Sequence, residues 1–357
     1  VRNGNQYLWK DQDKPNSLPE TILPAGGFYN TQTRTMESYD FRASATYNTT
    51  LNNDHIINTY LGSEVNSQDR VSRWMDGWGM QYDSGLTPFW DYRAFKRLTE
   101  KNWDYYGLSK SFGRSVAFFA NATYSYKGRY TITGTTRYEG TNRLGRTRKA
   151  RWLPTWNISG AWNAHSEDFF EKQHLLSHLT LKGSYSLVGV APSWVTNSRA
   201  IIYSRAAWRP SAGQSENRNY IGSFENEDLT YEKKHELNFG VDMGLLKNRL
   251  NIAADIYWRN NFDLIGAAYT IGGTRWGNVA SMKSHGFELS VSTKNIQSKD
   301  FSWTTDFIFG STFNKVTELD TKRNMFNFLT GNGFARQGYP VRSLFSIPFT
   351  GLDDEGF

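Results

Sequence analysis

His174 and His178 stand four residues apart, a spacing that would set two imidazoles on one face of a helix and offer a metal its first two ligands. No Glu follows His174 in the HExxH manner and no third ligand is evident, so the pair reads as part of a solvated helical turn. His55, His165, His235 and His285 are scattered along the chain. Asp353, Asp354 and Glu355 precede Gly356, but a calcium loop of the EF-hand type alternates its acids. This run reads as an acidic turn, with calcium a minor option. The glycine-rich stretch GNGFARQG does not follow an apolar strand leading into a helix, as a dinucleotide site requires. Cysteine is absent, which removes disulfides and thiolate metal sites. No Ser-His-Asp triad or carboxylate pair stands out from the other acids. No catalysis, cofactor or resident metal is expected.

The remaining chemistry is aromatic. Trp74, Trp78 and Trp90 lie in a long segment of about 67–113, and Trp194, Tyr203, Trp208 and Arg209 in a second of about 190–234. Aromatic faces stack on sugar rings, and aromatics with an arginine can clamp a peptide. The same side chains could instead pack the loops together, and both readings stand. Segments of this length are uncommon in compact domains and usually functional.

The elements that would carry such loops are long alternating arms. From Ser115 to Tyr126, the residues Val116, Phe118, Ala120, Ala122, Tyr124 and Tyr126 alternate with Ser115, Ala117, Phe119, Asn121, Thr123 and Ser125. After Lys127-Gly128 the pattern resumes, with Tyr130, Ile132, Gly134, Thr136 and Tyr138 against Arg129, Thr131, Thr133, Thr135 and Arg137. Successive strand side chains point to opposite faces, so each arm has one apolar, tyrosine-ended face and one polar face. Arms of about ten residues suit a strand crossing a bilayer; soluble strands typically run about five or six.

Similar arms recur at 39–49, 55–65, 152–162, 179–187, 236–245, 249–259, 287–291 and 301–309, ten spans in all. A short strand is expected near Ala200–Tyr203, a helix over 91–98, and a helical turn in SEDFFEKQHLLSH with Ser166 as N-cap. Residues 1–37 read as a polar loop. Glu236, Asp242, Asp255, Glu288 and Asp306 all fall on polar faces, where a sandwich core would penalise them and a water-filled lumen would not. Tyr124, Tyr126, Tyr130, Tyr138, Trp156, Trp162 and Trp258 sit toward arm ends, as an interfacial girdle requires.

The totals agree. Among 357 residues, 16% are aromatic and 21% charged, and no run approaches the roughly 18 consecutive apolar residues of a spanning helix. The formal charge of +7 comes with no basic helix or RNA-binding signature, so no nucleic-acid partner is expected. The opening residues hold no signal peptide, and both ends read as internal to a longer protein.

Several blocks now converge on one family. YKGRYTITGTTRYEGTNRLG, RWLPTWNISGAWNAHSEDFFEK, NEDLTYEKKHELNFGVDMGLLKNRLNIAADIYWRNNFDLI and KDFSWTTDFIFGSTFNKVTEL, in this order, resemble the SusC/RagA-type TonB-dependent outer-membrane transporters of Bacteroidota. The resemblance covers most of residues 38–357. One departure is that the family often reads S-x-R-F-G where this chain has Thr141-Asn142-Arg143-Leu144-Gly145.

The resemblance implies an all-β fold, an antiparallel transmembrane β-barrel in a Gram-negative outer membrane. It also implies a plugged lumen of roughly 22 strands, of which residues 1–357 supply one portion; plug, TonB box, first strands and last strands are absent. The partners it implies are TonB acting through the N-terminal plug, a SusD/RagB-like surface lipoprotein lid, and membrane lipids with lipopolysaccharide. The cargo it implies is an oligosaccharide or a peptide. Two other classes remain to be weighed: a passive porin or structural barrel, and a soluble all-β carbohydrate-binding protein, against which the long tyrosine-ended arms argue.

Overall fold

The computed structural model of the chain describes residues 8–9, 20–21, 26–85, 87–88, 106–170, 175–192, 201–209, 214–271, 273–320, 335–346, 348 and 351. Its strands are β1 (Leu8–Trp9), β2 (Glu20–Thr21), β3 (Gly27–Leu51), β4 (His55–Gln81), β5 (Thr87–Pro88), β6 (Tyr106–Tyr126), β7 (Tyr130–Thr141), β8 (Trp152–Asn163), β9 (Leu176–Val190), β10 (Ile201–Arg209), β11 (Gln214–Ser223), β12 (Glu232–Leu245), β13 (Leu250–Thr270), β14 (Gly273–Gln297) and β15 (Ser302–Leu319). The short pairs β1-β2 and β10-β11 stand as two-stranded sheets. The main sheet has 11 strands in the order β15-β14-β13-β12-β9-β8-β7-β6-β4-β3, with β5 added on β4. The pairings whose register is defined are antiparallel, and all ten alternating spans of the sequence are strands in it.

Tight turns fix the register. Lys127 and Gly128 take φ of 52° and 66°, two successive left-handed residues of the kind that matches strand twist in a two-residue hairpin. Asn52 and Asn53 do the same at 51° and 61°, asparagine tolerating this region better than most residues. With each turn set, the alternation keeps apolar partners on one face across the sheet. One row reads Ile158, Tyr185, Leu237, Trp258, His285 and Phe313, each the Cα partner of the next.

The chain divides into two compact parts. One comprises Val1–Asp40, Asn66–Gly113 and Ile202–Tyr220; the other comprises Phe41–Val65, Arg114–Ile201 and Ile221–Phe357. In the first, the Tyr82 hydroxyl donates to the Phe28 carbonyl at 2.5 Å, and Asn30 donates to Asp76 at 2.5 Å. In the second, a core forms outside the apolar rows: Leu144 and Leu229 are fully buried and pack with Leu153 and Tyr231. Gly145 and Leu229 are joined there by a backbone hydrogen bond of 2.7 Å. A Cβ on Gly145 would meet the Glu227 carbonyl oxygen at 2.0 Å, so the loop closes only with glycine. The TNRLG departure therefore occupies a packed position.

Several expectations need correction. The segment 67–113 is not one loop, because β4 runs on to Gln81 and β6 starts at Tyr106. Residues 1–37 are not all loop, since β3 begins at Gly27. The segment 190–234 holds the β10-β11 hairpin, longer than the short strand expected there. Ser166 lies inside a 3-10 turn, Ala164–Ser166, rather than capping a helix, and His178 is in β9. Residues 91–98, His174, Asp353, Asp354 and Glu355 lie outside the described residues.

Candidate functional site

The polar face of the sheet is the surface with chemistry to offer. It begins with hydroxyls and amides. Asn121 donates to Thr135 at 2.7 Å, the Thr123 and Thr133 hydroxyls are hydrogen-bonded to each other at 3.0 Å, and Thr131 donates to Ser125 at 3.0 Å. A groove of about 270 Å3 follows, lined by Thr131, Thr133, Ser159, Lys182, Ser184, Asn238 and Asp255 among others. Several charges on this face are paired. Lys182 meets Asp242 at 2.5 Å, Lys234 meets Glu236 at 2.5 Å, and Arg259 reaches Glu236 at 3.0 Å. Arg137 bridges Glu139 at 2.7 Å and Glu64 at 3.7 Å. Asp255 and Glu288 are Cα partners on the same face.

Tyr257 ties this wall together. Its hydroxyl lies 2.6 Å from the Thr312 Oγ1, the Arg259 guanidinium sits 3.8 Å above its ring, and only 3% of the residue is exposed. The ring crosses Gly286, where a Cβ would approach the Tyr257 oxygen at 2.3 Å. The wall has apolar exceptions: Ile308 is exposed on it, and Phe119 lies under the Arg42 guanidinium at 4.8 Å.

A second constellation lies beyond the apolar rows. A cavity of about 500 Å3 is lined by Lys149, Asp228, Lys233, Asp263, Arg275 and Asn278 with others. Asn278 holds it open, donating to the carbonyls of Thr230 and Asp263 at 3.0 and 2.6 Å and accepting from the Thr230 amide at 3.0 Å. Tyr231, whose hydroxyl donates to the Arg151 carbonyl at 3.1 Å, is buried enough for its phenol to be pushed well above the ordinary range. At the opposite, short-turn end, Tyr130, Trp162 and Arg129 hold the Glu167 carboxylate below the usual glutamate value. The indole donates at 3.2 Å and the guanidinium at 2.9 Å.

The aromatic candidates distribute as follows. Trp74 is in β4, its indole lying where a Cβ on Gly107 would fall. Trp78 is also in β4, and Tyr203, Trp208 and Arg209 are in β10. For these four the backbone alone is described. Trp90 and Trp194 lie outside the described residues. The structure therefore brings none of the loop candidates together among its described side chains.

The arm-end aromatics fall into two groups. Tyr126, Tyr130 and Trp162 form one register row, with Tyr124 nearby, its hydroxyl 2.7 Å from the His55 Nδ1. Tyr138 stacks on Trp152 with centroids 4.9 Å apart, and Trp156 meets Tyr185 edge-on at 5.3 Å. Trp258 follows two pairings along from Tyr185.

Sequence reasoning found the acids of the wall but not their partners, because Lys182–Asp242 and Arg259–Glu236 exist only once the register is known. Leu144 and Leu229 carried no periodic signal at all. Among the described residues, no group of three His, Cys, Asp or Glu could hold a metal, and no helix is long and apolar enough to cross a membrane; the second fact says nothing about strands.

Comparison with known proteins adds a lineage to this geometry. The model of the TonB dependent receptor-like β-barrel family matches residues 2–349. TonB-dependent receptor P39 of Formosa agariphila is 26% identical over 343 residues, covering 93% of this chain and 31% of the relative. TonB-dependent receptor SusC of Bacteroides thetaiotaomicron is 26% identical over 212 residues, 57% of this chain and 21% of the relative. Among solved structures, the RagAB peptide transporter superposes with a TM-score of 0.77 at 21% identity, over 92% of this chain and 35% of that one. The chain thus spans about a third of the length of P39 and of the superposed transporter chain.

Proposed function

The chain belongs to the TonB-dependent receptor-like β-barrel family, and from that premise we propose that it is a portion of a SusC/RagA-like nutrient importer. Proteins of this kind are integral to the Gram-negative outer membrane, and the named relatives are receptors and transporters rather than enzymes. In this reading the apolar rows face lipid and the polar face forms part of the lumen wall. TonB acts through an N-terminal plug outside this chain, and a SusD/RagB-like lipoprotein closes the outer mouth. The imported cargo is an oligosaccharide or a peptide.

The observation that carries the reading is the separation of the two faces over ten long strands. A wall of hydroxyls, amides and paired charges needs water beside it. An apolar face with Phe239, Ile256, Phe287, Phe307 and Phe309 exposed needs lipid beside it. A water-filled interior with an apolar exterior is the arrangement of outer-membrane barrels. Hydroxyl rows such as Thr123–Thr133 suit sugar hydroxyls, and the cations and carboxylates standing side by side on the wall suit a zwitterionic peptide. Tyr126, Tyr130 and Trp162 would mark the inner interface, with Tyr124 beside them; Tyr138, Trp156 and Trp258 would mark the outer one. Trp74, Trp78, Trp90, Trp194, Tyr203, Trp208 and Arg209 remain the proposed cargo or lid contacts.

Native mass spectrometry of the full-length protein, extracted gently in detergent, tests this. A co-purifying lipoprotein with peptide masses or hexose-spaced masses is expected. A bare barrel with neither would remove the lid and cargo from the account.

A further inference from the structure

Two adjoining cavities lie at the end of β13 and β14 away from the turn at Lys247-Asn248. The first, of about 500 Å3, is lined by Lys149 and Arg275 among others, and the second, of about 410 Å3, by Ser281 and Glu318 among others. Asp263, Asn278, Val279 and Asp320 line both, so the two form one cleft. The register sets its direction. Arg275 pairs with Ala268, Asn278 with Ile265, and Ser281 with Glu318, so the cleft follows β14. From Arg275 to Ser281 this strand covers about 20 Å at a rise of about 3.3 Å per residue. The cleft has opposite charges along that length. Lys149, Lys233, Arg275 and Asp228 line the first cavity, Glu318 the second, and Asp263 and Asp320 their junction.

The junction is built rather than left over. Asp263 takes φ of 56°, a left-handed value uncommon outside glycine, in a bulge where the β13-β14 register shifts twice between Asn261 and Ile265. Bulges re-aim side chains next to binding sites, and strained backbone persists where its surroundings hold it, often at ligand clamps. Here the hold comes from two sides. Asn278 donates to the Asp263 carbonyl at 2.6 Å, and Lys233 neutralises the Asp263 carboxylate at 2.6 Å. The two acids further along are also placed. The Asp320 amide donates to the Val279 carbonyl at 2.8 Å, and Glu318 accepts from the Ser281 hydroxyl at 2.8 Å.

We propose that this cleft binds a free-ended peptide of about six residues, extended along β14 at about 3.3 Å per residue. Its C-terminal carboxylate lies toward Arg275 and Lys149, and its α-amine toward Asp320 and Glu318. A peptide with both ends free carries opposite charges at that separation, whereas a neutral oligosaccharide carries neither. Complementary charge selects between such ligands more than it adds raw affinity. The inference rests on the importer reading above and deepens it, choosing the peptide and assigning it a site apart from the loop tryptophans.

The test titrates the full-length protein in detergent with a hexapeptide of alanine, glycine and serine, followed by calorimetry. N-acetylation and C-amidation of the peptide should each weaken binding about fivefold, the upper range for an exposed ion pair, and maltohexaose should not compete. Arg275→Gln should lose most of the discrimination between acid and amide, and Asp320→Asn most of that between amine and acetamide. Both side chains are exposed, so neither change should disturb folding. Lys294→Gln, at the short-turn end of β14, should match the wild type. Equal affinity of the wild type for free and blocked peptides, full discrimination in both cleft variants, or displacement of the peptide by maltohexaose overturns the proposal. Peptide uptake into cells reports on the importer reading separately: its absence with binding intact would strike that reading and leave the cleft standing.

Discussion

Leu289 and Ser290 are chain neighbours in the middle of β14, yet they answer to different solvents. Leu289 pairs with Ala254 and Phe309 on the apolar face, and Ser290 pairs with Ala253 and Ile308 on the polar one. The contrast recurs along the paired arms of β7, β8, β9, β12, β13 and β15. It teaches that the sheet has no single core: each face is stable only because of what lies against it. Apolar burial on one side comes from lipid, while paired charges on the other side stay cheap because water reaches them.

The sharpest way to break the comparison is to place the same charge on each face. Leu289→Arg is expected to cost about 2–4 kcal/mol near the bilayer midplane, whereas Ser290→Arg should cost less than about 1 kcal/mol, as exposed substitutions do. Reversible unfolding from lipid vesicles measures both, and equal costs would erase the distinction. Next comes glycine. Gly286→Leu must displace Tyr257 and would also bring a Cβ to 2.7 Å from the Ser311 carbonyl oxygen, so a loss of about 1–3 kcal/mol is expected. On the apolar face a Cβ at Gly160 finds nothing nearer than the Thr131 oxygen at 3.9 Å, and Gly160→Leu should be nearly neutral in the same assay.

A smaller effect sharpens the claim that the wall is wet. Glu236→Ala strips Lys234 and Arg259 of their shared carboxylate. In a hydrated lumen this should cost about 0–1 kcal/mol; a loss of about 3–5 kcal/mol would mean a dry interior. The smallest effect concerns Glu167, outside both faces. Its folded value lies below the ordinary one, so its contribution is complete above the unfolded glutamate value of about 4.3 and fades as pH falls through the folded value. The stability gap between the wild type and Glu167→Gln should therefore close on acidification. A gap that widens would reverse the sign.

The strands were legible in the sequence because alternation survives wherever one face meets lipid and the other water. Val116 to Tyr126 shows this, and so do Leu237 to Leu245. The signal failed where both faces meet polar surroundings: residues 66–81, with Asn66, Asp69, Arg70 and Asp76 among them, continue β4 with no two-residue period to reveal it. It failed again beyond Arg259, where the β13-β14 register shifts near Leu264 and Asp263 takes φ of 56°. The acids of the wall were readable from parity, but their cations were not. Lys182 and Asp242 are separated by the long 191–231 connection, and nothing local announces that β9 and β12 are neighbours. The Leu144–Leu229 core joins two loops, and loops carry no period.

The most direct test of the two-faced sheet uses cysteine, which this chain lacks. Single cysteines placed in turn from Tyr130 to Arg137 along β7, in the full-length protein in bilayers, would be exposed to a small charged thiol reagent. Labelling is expected to alternate with a period of two, strong at Thr131, Thr133 and Thr135 and weak at Ile132, Gly134 and Thr136. Uniform labelling, or labelling strongest at Ile132 and Gly134, would contradict a lumen wall backed by a lipid-facing surface.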